Sequence, residues 1–154
     1  MIRTVAILHL LAVVLLAVGP LPTDPEAIAL ARDAARLDHN AVPFYTIVRQ
    51  LATGPDRADT VQLVGNLLLL APFGVYGPIL WGGLRSLGAI LVAGVIFSSA
   101  IELGQLWLSQ RYGFPIRIAD IDDVILNTIG ILMGYCAWRL WSWGAALDPE
   151  RAVR

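Results

Sequence analysis

Runs of apolar residues, broken by short polar connections, set the architecture of this chain. Residues 2–21 form the first run, with Arg3 and His9 its ionisable interruptions. Residues 60–81, 86–108 and 122–143 form the next three. Each is long enough for a helix to cross a hydrocarbon core, which takes about 20 residues. The pattern predicts an all-α membrane protein, an antiparallel bundle of four transmembrane helices in a single domain over residues 1–154. Residues 22–59 make the one long loop and 144–154 a tail. A cleaved leader competes for the first run, since Ala17, Val18 and Gly19 supply small residues near its end. The three runs that follow favour a retained helix.

Local signals refine this outline. Pro20, Pro22 and Pro25 stop the first helix, because proline has no N–H to donate. Asp24 followed by Pro25 then reads as an N-cap and first helical residue, opening a short surface helix over residues 27–37. Phe44 and Tyr45 suit a membrane interface, and Val48 to Leu51 suggest a helical turn. Gly54-Pro55 marks a turn. Pro72 predicts a kink in the second span. Gly82-Gly83 and Arg85 make a tight connection. Trp138, Trp141 and Trp143 form an aromatic belt at the far end of the fourth span. Gly130-xxx-Gly134 and Ala89-xxx-Ala93 present small faces for close helix packing.

The polar residues inside these spans carry the chemistry. Arg117, Asp120, Asp123 and Asn127 recur at helical steps and lead directly into an apolar segment. Asn66 lies roughly 9 Å past the start of the second span at 1.5 Å per residue. Glu102 sits about as far before the end of the third, with Gln105 three residues on along the same helix face. In an antiparallel bundle the second span starts, the third ends and the fourth starts on one side. Asn66, Glu102, Gln105, Arg117, Asp120, Asp123 and Asn127 therefore gather there. Ionisable groups at membrane depth are costly and usually functional. Arg117 is the natural partner for Glu102, whose carboxyl would otherwise be held neutral.

Composition agrees. The chain is 57% hydrophobic and 15% charged, with a mean hydropathy of +0.69. A net charge of −1 offers no basic field for nucleic acid. The lone Cys136 cannot form an internal disulfide. No metal-binding, dinucleotide or nucleophile motif occurs, so no cofactor and no metal is expected. Arg3, Arg85, Arg139, Arg151 and Arg154 fall on one side of the bundle, the other arginines opposite. The first set sits in shorter segments, and its higher density favours N-terminus and C-terminus inside.

Four pieces of the chain, in order, resemble the VanZ-like family of small bacterial membrane proteins. They are Asn40-x-x-Pro43-Phe44-x-Thr46-Ile47, Asn66 through Pro72-Phe73-Gly74, Glu102-x-x-Gln105, and Arg117-x-x-Asp120-x-Asp122-Asp123 followed by Asn127-Thr128-x-Gly130-x-x-x-Gly134-Tyr135. The resemblance runs from about residue 40 to 141. It implies a multi-pass protein of the bacterial cytoplasmic membrane with its polar cluster on the outer face. The family takes its name from a protein linked to resistance to the glycopeptide teicoplanin, and membership alone does not imply that role.

Three readings of the polar cluster stay open. It binds an envelope ligand, a lipid-linked cell-wall intermediate or a glycopeptide, with Arg117 on an anionic head group and the others positioning it. It belongs to an enzyme acting on a lipid head group, with Glu102 and Asp123 as acid/base or metal-holding groups. Or it is a structural network in which Asp122 and Asp123 favour the helix dipole. Beyond membrane lipids and such a ligand, the sequence names no partner.

Overall fold

The computed structural model describes residues 1–19, 24–26, 28–29, 39–113 and 118–146. Its helices are α1 (Ile2–Val18), α2 (Tyr45–Thr53), α3 (Arg57–Leu69), α4 (Ala71–Leu80), α5 (Leu87–Tyr112) and α6 (Ile121–Ala146), with a 3₁₀ turn at Gly82–Arg85 between α4 and α5. Three stretches, Arg57–Leu80, Leu87–Tyr112 and Ile121–Ala146, are long and apolar enough to cross a membrane. The first run is shorter than its hydropathy suggests. α1 ends at Val18, where Gly19 turns to φ 65° with its N–H on the Leu15 carbonyl at 2.9 Å.

The other boundaries moved for local reasons. α3 opens three residues earlier than the apolar run because Asp56 and Asp59 form a reciprocal capping box. The Asp56 carboxylate accepts from the Asp59 N–H at 2.8 Å. The predicted kink is present: the second span breaks at Leu70, immediately before Ala71-Pro72. α5 continues to Tyr112 and stops at Gly113, whose φ of 76° is the left-handed cap that glycine tolerates. Asp24 accepts from the Glu26 N–H at 3.1 Å, as an N-cap should, and the body of the surface helix expected over 27–37 lies almost wholly outside the described residues.

α6 is the central element, packed against α3, α4 and α5. Gly130 and Gly134 face the kinked second span so closely that a Cβ on either would collide with the backbone carbonyl of Leu67 or Ala71. Gly74 meets the Ile131 carbonyl from the other side in the same way. Such backbone approach is what small-xxx-small pairs permit in membrane helices. Ile131, Leu70, Ile90, Val13, Tyr135 and Trp138 fill the adjoining core. Trp138 is thus an interior residue, 8% exposed, while Trp141 and Trp143 stay exposed. It leaves the expected belt because Tyr135 and α6 packing enclose it, the two rings lying 5.5 Å apart.

α5 shows how the interior is built. Its buried residues are Ile90, Gly94, Ser98, Glu102, Gln105 and Ser109, a single stripe at helical spacing. Its exposed face carries Val92, Val95, Ile96, Leu103 and Trp107. Polar side chains point in and apolar ones out, the arrangement expected where lipid is the solvent.

α1 attaches to this bundle through His9. The break at Leu70 diverts the Phe73 N–H to the Leu70 carbonyl, which leaves the Leu69 carbonyl for His9 Nε2 at 2.8 Å. His9 Nδ1 meets the Tyr76 hydroxyl at 2.9 Å. His9 is therefore a helix-packing residue.

Candidate functional site

The start of α6 is tied to the first loop by two acids with different tasks. Asp120 is the residue before the helix. One of its carboxylate oxygens accepts the Asp122 N–H at 2.9 Å and the Asn40 amide at 2.8 Å, and the other accepts the Thr46 hydroxyl. Backbone bonds between Asn40 and the Ala119–Ile121 segment, both 3.0 Å, fix the pairing. The Asp120 N–H in turn donates to Glu102 Oε2 on α5 at 3.0 Å.

Asp122 is fully buried. Its carboxylate accepts the N–H groups of Phe44 and Ile47, so it caps the N-terminus of α2 from another part of the chain. These charge-assisted bonds to a helix N-terminus are the strong kind. They hold Phe44 in the left-handed region at φ 65°, a conformation that costs a side-chain-bearing residue about 1–2 kcal/mol.

Asp123 points the other way. It accepts from Gln62 Nε2 of α3 at 3.4 Å, and Gln62 accepts from Gln50 of α2 at 3.1 Å. A turn further along α6, Asn127 donates to the Ser98 hydroxyl of α5 at 3.0 Å. Gln105 donates to the Ala17 carbonyl at the end of α1, also at 3.0 Å.

These groups surround a cavity of about 830 Å³. Asn66 from α3, Glu102 and Gln105 from α5, Asp123 and Asn127 from α6, and Asp120 before it all line the cavity. Six of the seven residues singled out from sequence are therefore brought together. The seventh, Arg117, lies outside the described residues, and with it the expected Glu102–Arg117 pair. Glu102 is 7% exposed, Gln105 8%, Asp120 5% and Asn127 1%.

Among the described residues, three buried amide atoms beside the cavity have no hydrogen-bond partner. Asn66 Nδ2 and Asn127 Oδ1 are buried without a hydrogen-bond partner, as is Gln50 Oε1 nearby on α2. Leaving such a group unsatisfied costs about 1–3 kcal/mol, a cost the fold carries around this cavity. Among the described residues no cluster of His, Cys, Asp and Glu has the geometry to hold a metal ion.

Sequence reasoning missed Gln62, Gln50, His39 and Arg49. Gln62 is four residues before Asn66, on the same helix face, and that spacing was available. His39 and Arg49 also line the cavity, but nothing local marks them, since they arrive through the fold of the loop. Asp122 was assigned to the helix dipole of its own helix, whereas it caps a different one.

A family model described as VanZ/LLP1 matches residues 6–142. No curated protein and no solved structure matches the chain.

Proposed function

The chain belongs to the VanZ/LLP1 family, and from the polar cavity we propose that it is a membrane-embedded binding protein of the bacterial envelope. The cavity would take the polar head of an envelope ligand, a lipid-linked cell-wall intermediate or a glycopeptide antibiotic. The observation that carries this reading is the convergence of Asn66, Glu102, Gln105, Asp123 and Asn127, from three helices, on one cavity. Glu102 and Asp123 accept from hydroxyl or amine groups of the ligand, and the amides fix its orientation. Arg49 at the cavity faces an anionic portion, the role the sequence suggests for Arg117.

In this reading α1, α3–α4, α5 and α6 are four antiparallel spans with both termini in the cytoplasm. α1 has 17 residues, at the short end of the range that spans. The cavity opens outward, at the level where α3 begins and α5 ends. Asp120 and Asp122 have a structural task instead, because their oxygens are committed to capping α6 and α2.

The test is equilibrium binding by the purified full chain in nanodiscs, with a lipid-linked disaccharide-pentapeptide and teicoplanin as the two probes. One of them is expected to bind the wild type and to lose affinity at least about tenfold in Glu102→Gln, the ratio for one hydrogen bond to a charged group. Equal affinity in wild type and Glu102→Gln, or no binding of either, overturns the reading.

A further inference from the structure

The short helix α2 carries its polarity inside out. Thr46 and Gln50 are buried against the bundle, whereas Phe44, Tyr45, Val48 and Leu51 are each more than half exposed. At about 100° per residue the outward face centres on Val48, opposite Thr46 and Gln50, with Phe44 and Leu51 on one side of it and Ala52 on the other. Every side chain on that face is apolar. α5 shows the same inversion, with Ser98, Glu102 and Gln105 buried and Val95, Leu103 and Trp107 exposed, on a helix long and apolar enough to span.

Hydrogen bonds set the depth of α2. Its first turn is held at Asp122 through the Phe44 and Ile47 N–H groups. Further along, Gln50 donates to Gln62, and Gln62 donates to Asp123. Both halves of α2 are thus tied to one level of the bundle, the first turn of α6, so the helix runs across the spans and not along them. Gln62 lies five residues past the start of α3 at Arg57, about 8 Å at 1.5 Å per residue. Near that depth Val61 and Val64 of α3 are exposed, while the exposed Asp56 and Arg57 stand above it. The flank of the bundle is therefore already apolar where α2 crosses it.

We propose that α2 is an in-plane membrane helix, seated in the leaflet on the cavity side with Phe44, Val48 and Leu51 in hydrocarbon. Such helices bury their apolar face about 5–10 Å into the boundary between head groups and acyl chains, the depth at which α2 is held. Hydrocarbon covers the face because the apolar surface of α2 continues the exposed apolar flank of the spans. Arg49 stands at the edge of this face, its guanidinium 5.9 Å from the Tyr45 ring centroid. A long basic side chain and a tyrosine can keep their polar tips among head groups while their apolar parts lie lower. Tyr45, Thr46 and Arg49 also line the polar cavity. α2 is then a partition, with lipid on one side and the cavity on the other. Its seat in the leaflet is independent of what the cavity binds and of which leaflet that is.

The test is nitroxide labelling of the full chain in phosphatidylcholine nanodiscs, in a Cys136→Ala background. Val48→Cys and Leu51→Cys carry the label on the outward face. Leu103→Cys on the lipid side of α5 and Arg57→Cys above the spans are the references. All four sites are exposed, so the label displaces no packed side chain. Collision with oxygen, which concentrates in hydrocarbon, is compared with collision with a water-soluble nickel chelate. The logarithm of the oxygen-to-nickel ratio is expected to be positive at Val48, Leu51 and Leu103 and negative at Arg57. A negative or zero value at Val48 and Leu51 puts the face in water and overturns the proposal. Shielding of both sites from oxygen and nickel alike means that protein covers the face, a second copy or another segment, and overturns it as well. Loss of ligand binding with the positive ratios intact would remove the cavity reading alone.

Discussion

In its first two turns α6 meets its neighbours through carboxylates and amides, and from Gly130 onward it meets them backbone to backbone. Asp120, Asp122, Asp123 and Asn127 reach the first loop, α2, α3 and α5 by hydrogen bonds. Gly130 and Gly134 lie against the carbonyls of Leu67 and Ala71, and Ile131, Tyr135 and Trp138 fill the space beside them. The glycine half leaves no room for anything else. The polar half surrounds about 830 Å³ of space. Tight packing at one end is what lets the other end stay open, since the helices need only one region of close contact to fix their positions.

The hardest way to break this division is at the glycine end. Gly134→Leu drives side-chain atoms into the Ala71 carbonyl, which only a shift of the whole second span relieves. Overpacking of this kind costs about 1–3 kcal/mol or more, and here the obstacle is backbone rather than a movable side chain. The variant should be lost to aggregation on gel filtration in detergent. Gly88→Leu, at a position with nothing within 4 Å of its Cβ, should elute as the wild type does. Equal behaviour of the two would mean that the glycine contacts do not set the helix positions.

Within the polar half, Asp122 and Asp123 sharpen the comparison. They are adjacent, yet a helical step of about 100° sends them to different tasks. Asp122→Ala leaves the Phe44 and Ile47 N–H groups without their acceptor, at about 1–3 kcal/mol for each buried group. It also removes what keeps Phe44 at positive φ. α2 should detach, seen as fast amide exchange over Tyr45–Thr53 and a lowered melting temperature. Asp123→Ala removes an acceptor from the cavity wall, the 3.4 Å bond from Gln62 with it, and should reduce ligand affinity more than stability. Matching melting temperatures for the two variants would erase the distinction drawn here.

Much of this was legible in the sequence, and the failures have physical causes. The helix positions follow from apolar runs long enough to span, and six cavity residues follow from helical spacing plus the side on which each span begins or ends. What could not be read is contact between distant segments. Nothing near Asp122 says that its carboxylate caps a helix some 75 residues earlier in the chain. Trp138 looks like its neighbours Trp141 and Trp143, and only the packing of Tyr135 separates it from the belt. Helix ends were misplaced where the deciding residue was a cap, Asp56 or Gly113, outside the apolar run.

Orientation is a further point of contrast between the two ends, because only the polar one should face outside. Gln110 is exposed near the end of α5, at the polar end, and Arg139 is exposed toward the other. In a Cys136→Ala background, Gln110→Cys should react with a membrane-impermeant maleimide on intact cells, and Ser142→Cys only after lysis. The reverse result would put the cavity in the cytoplasm and remove an envelope ligand from consideration.

The smallest effect on stability, and the most discriminating, is expected at Asn66. Its Nδ2 is buried with no partner. Removing a group that makes no hydrogen bond should not destabilise the fold, and relieving its desolvation can return up to about 1–3 kcal/mol. Asn66→Ala should therefore melt at the wild-type temperature or slightly above it. If the polar half of the bundle is only a brace for the helices, nothing else should change. If the cavity is a site, the same variant should bind its ligand about tenfold more weakly, the worth of roughly 1.4 kcal/mol. Stability and affinity then move in opposite directions at a single residue, which a structural brace cannot produce. A drop in both together would instead show that Asn66 is part of the packing, and would assign the polar half the same task as the glycines below it.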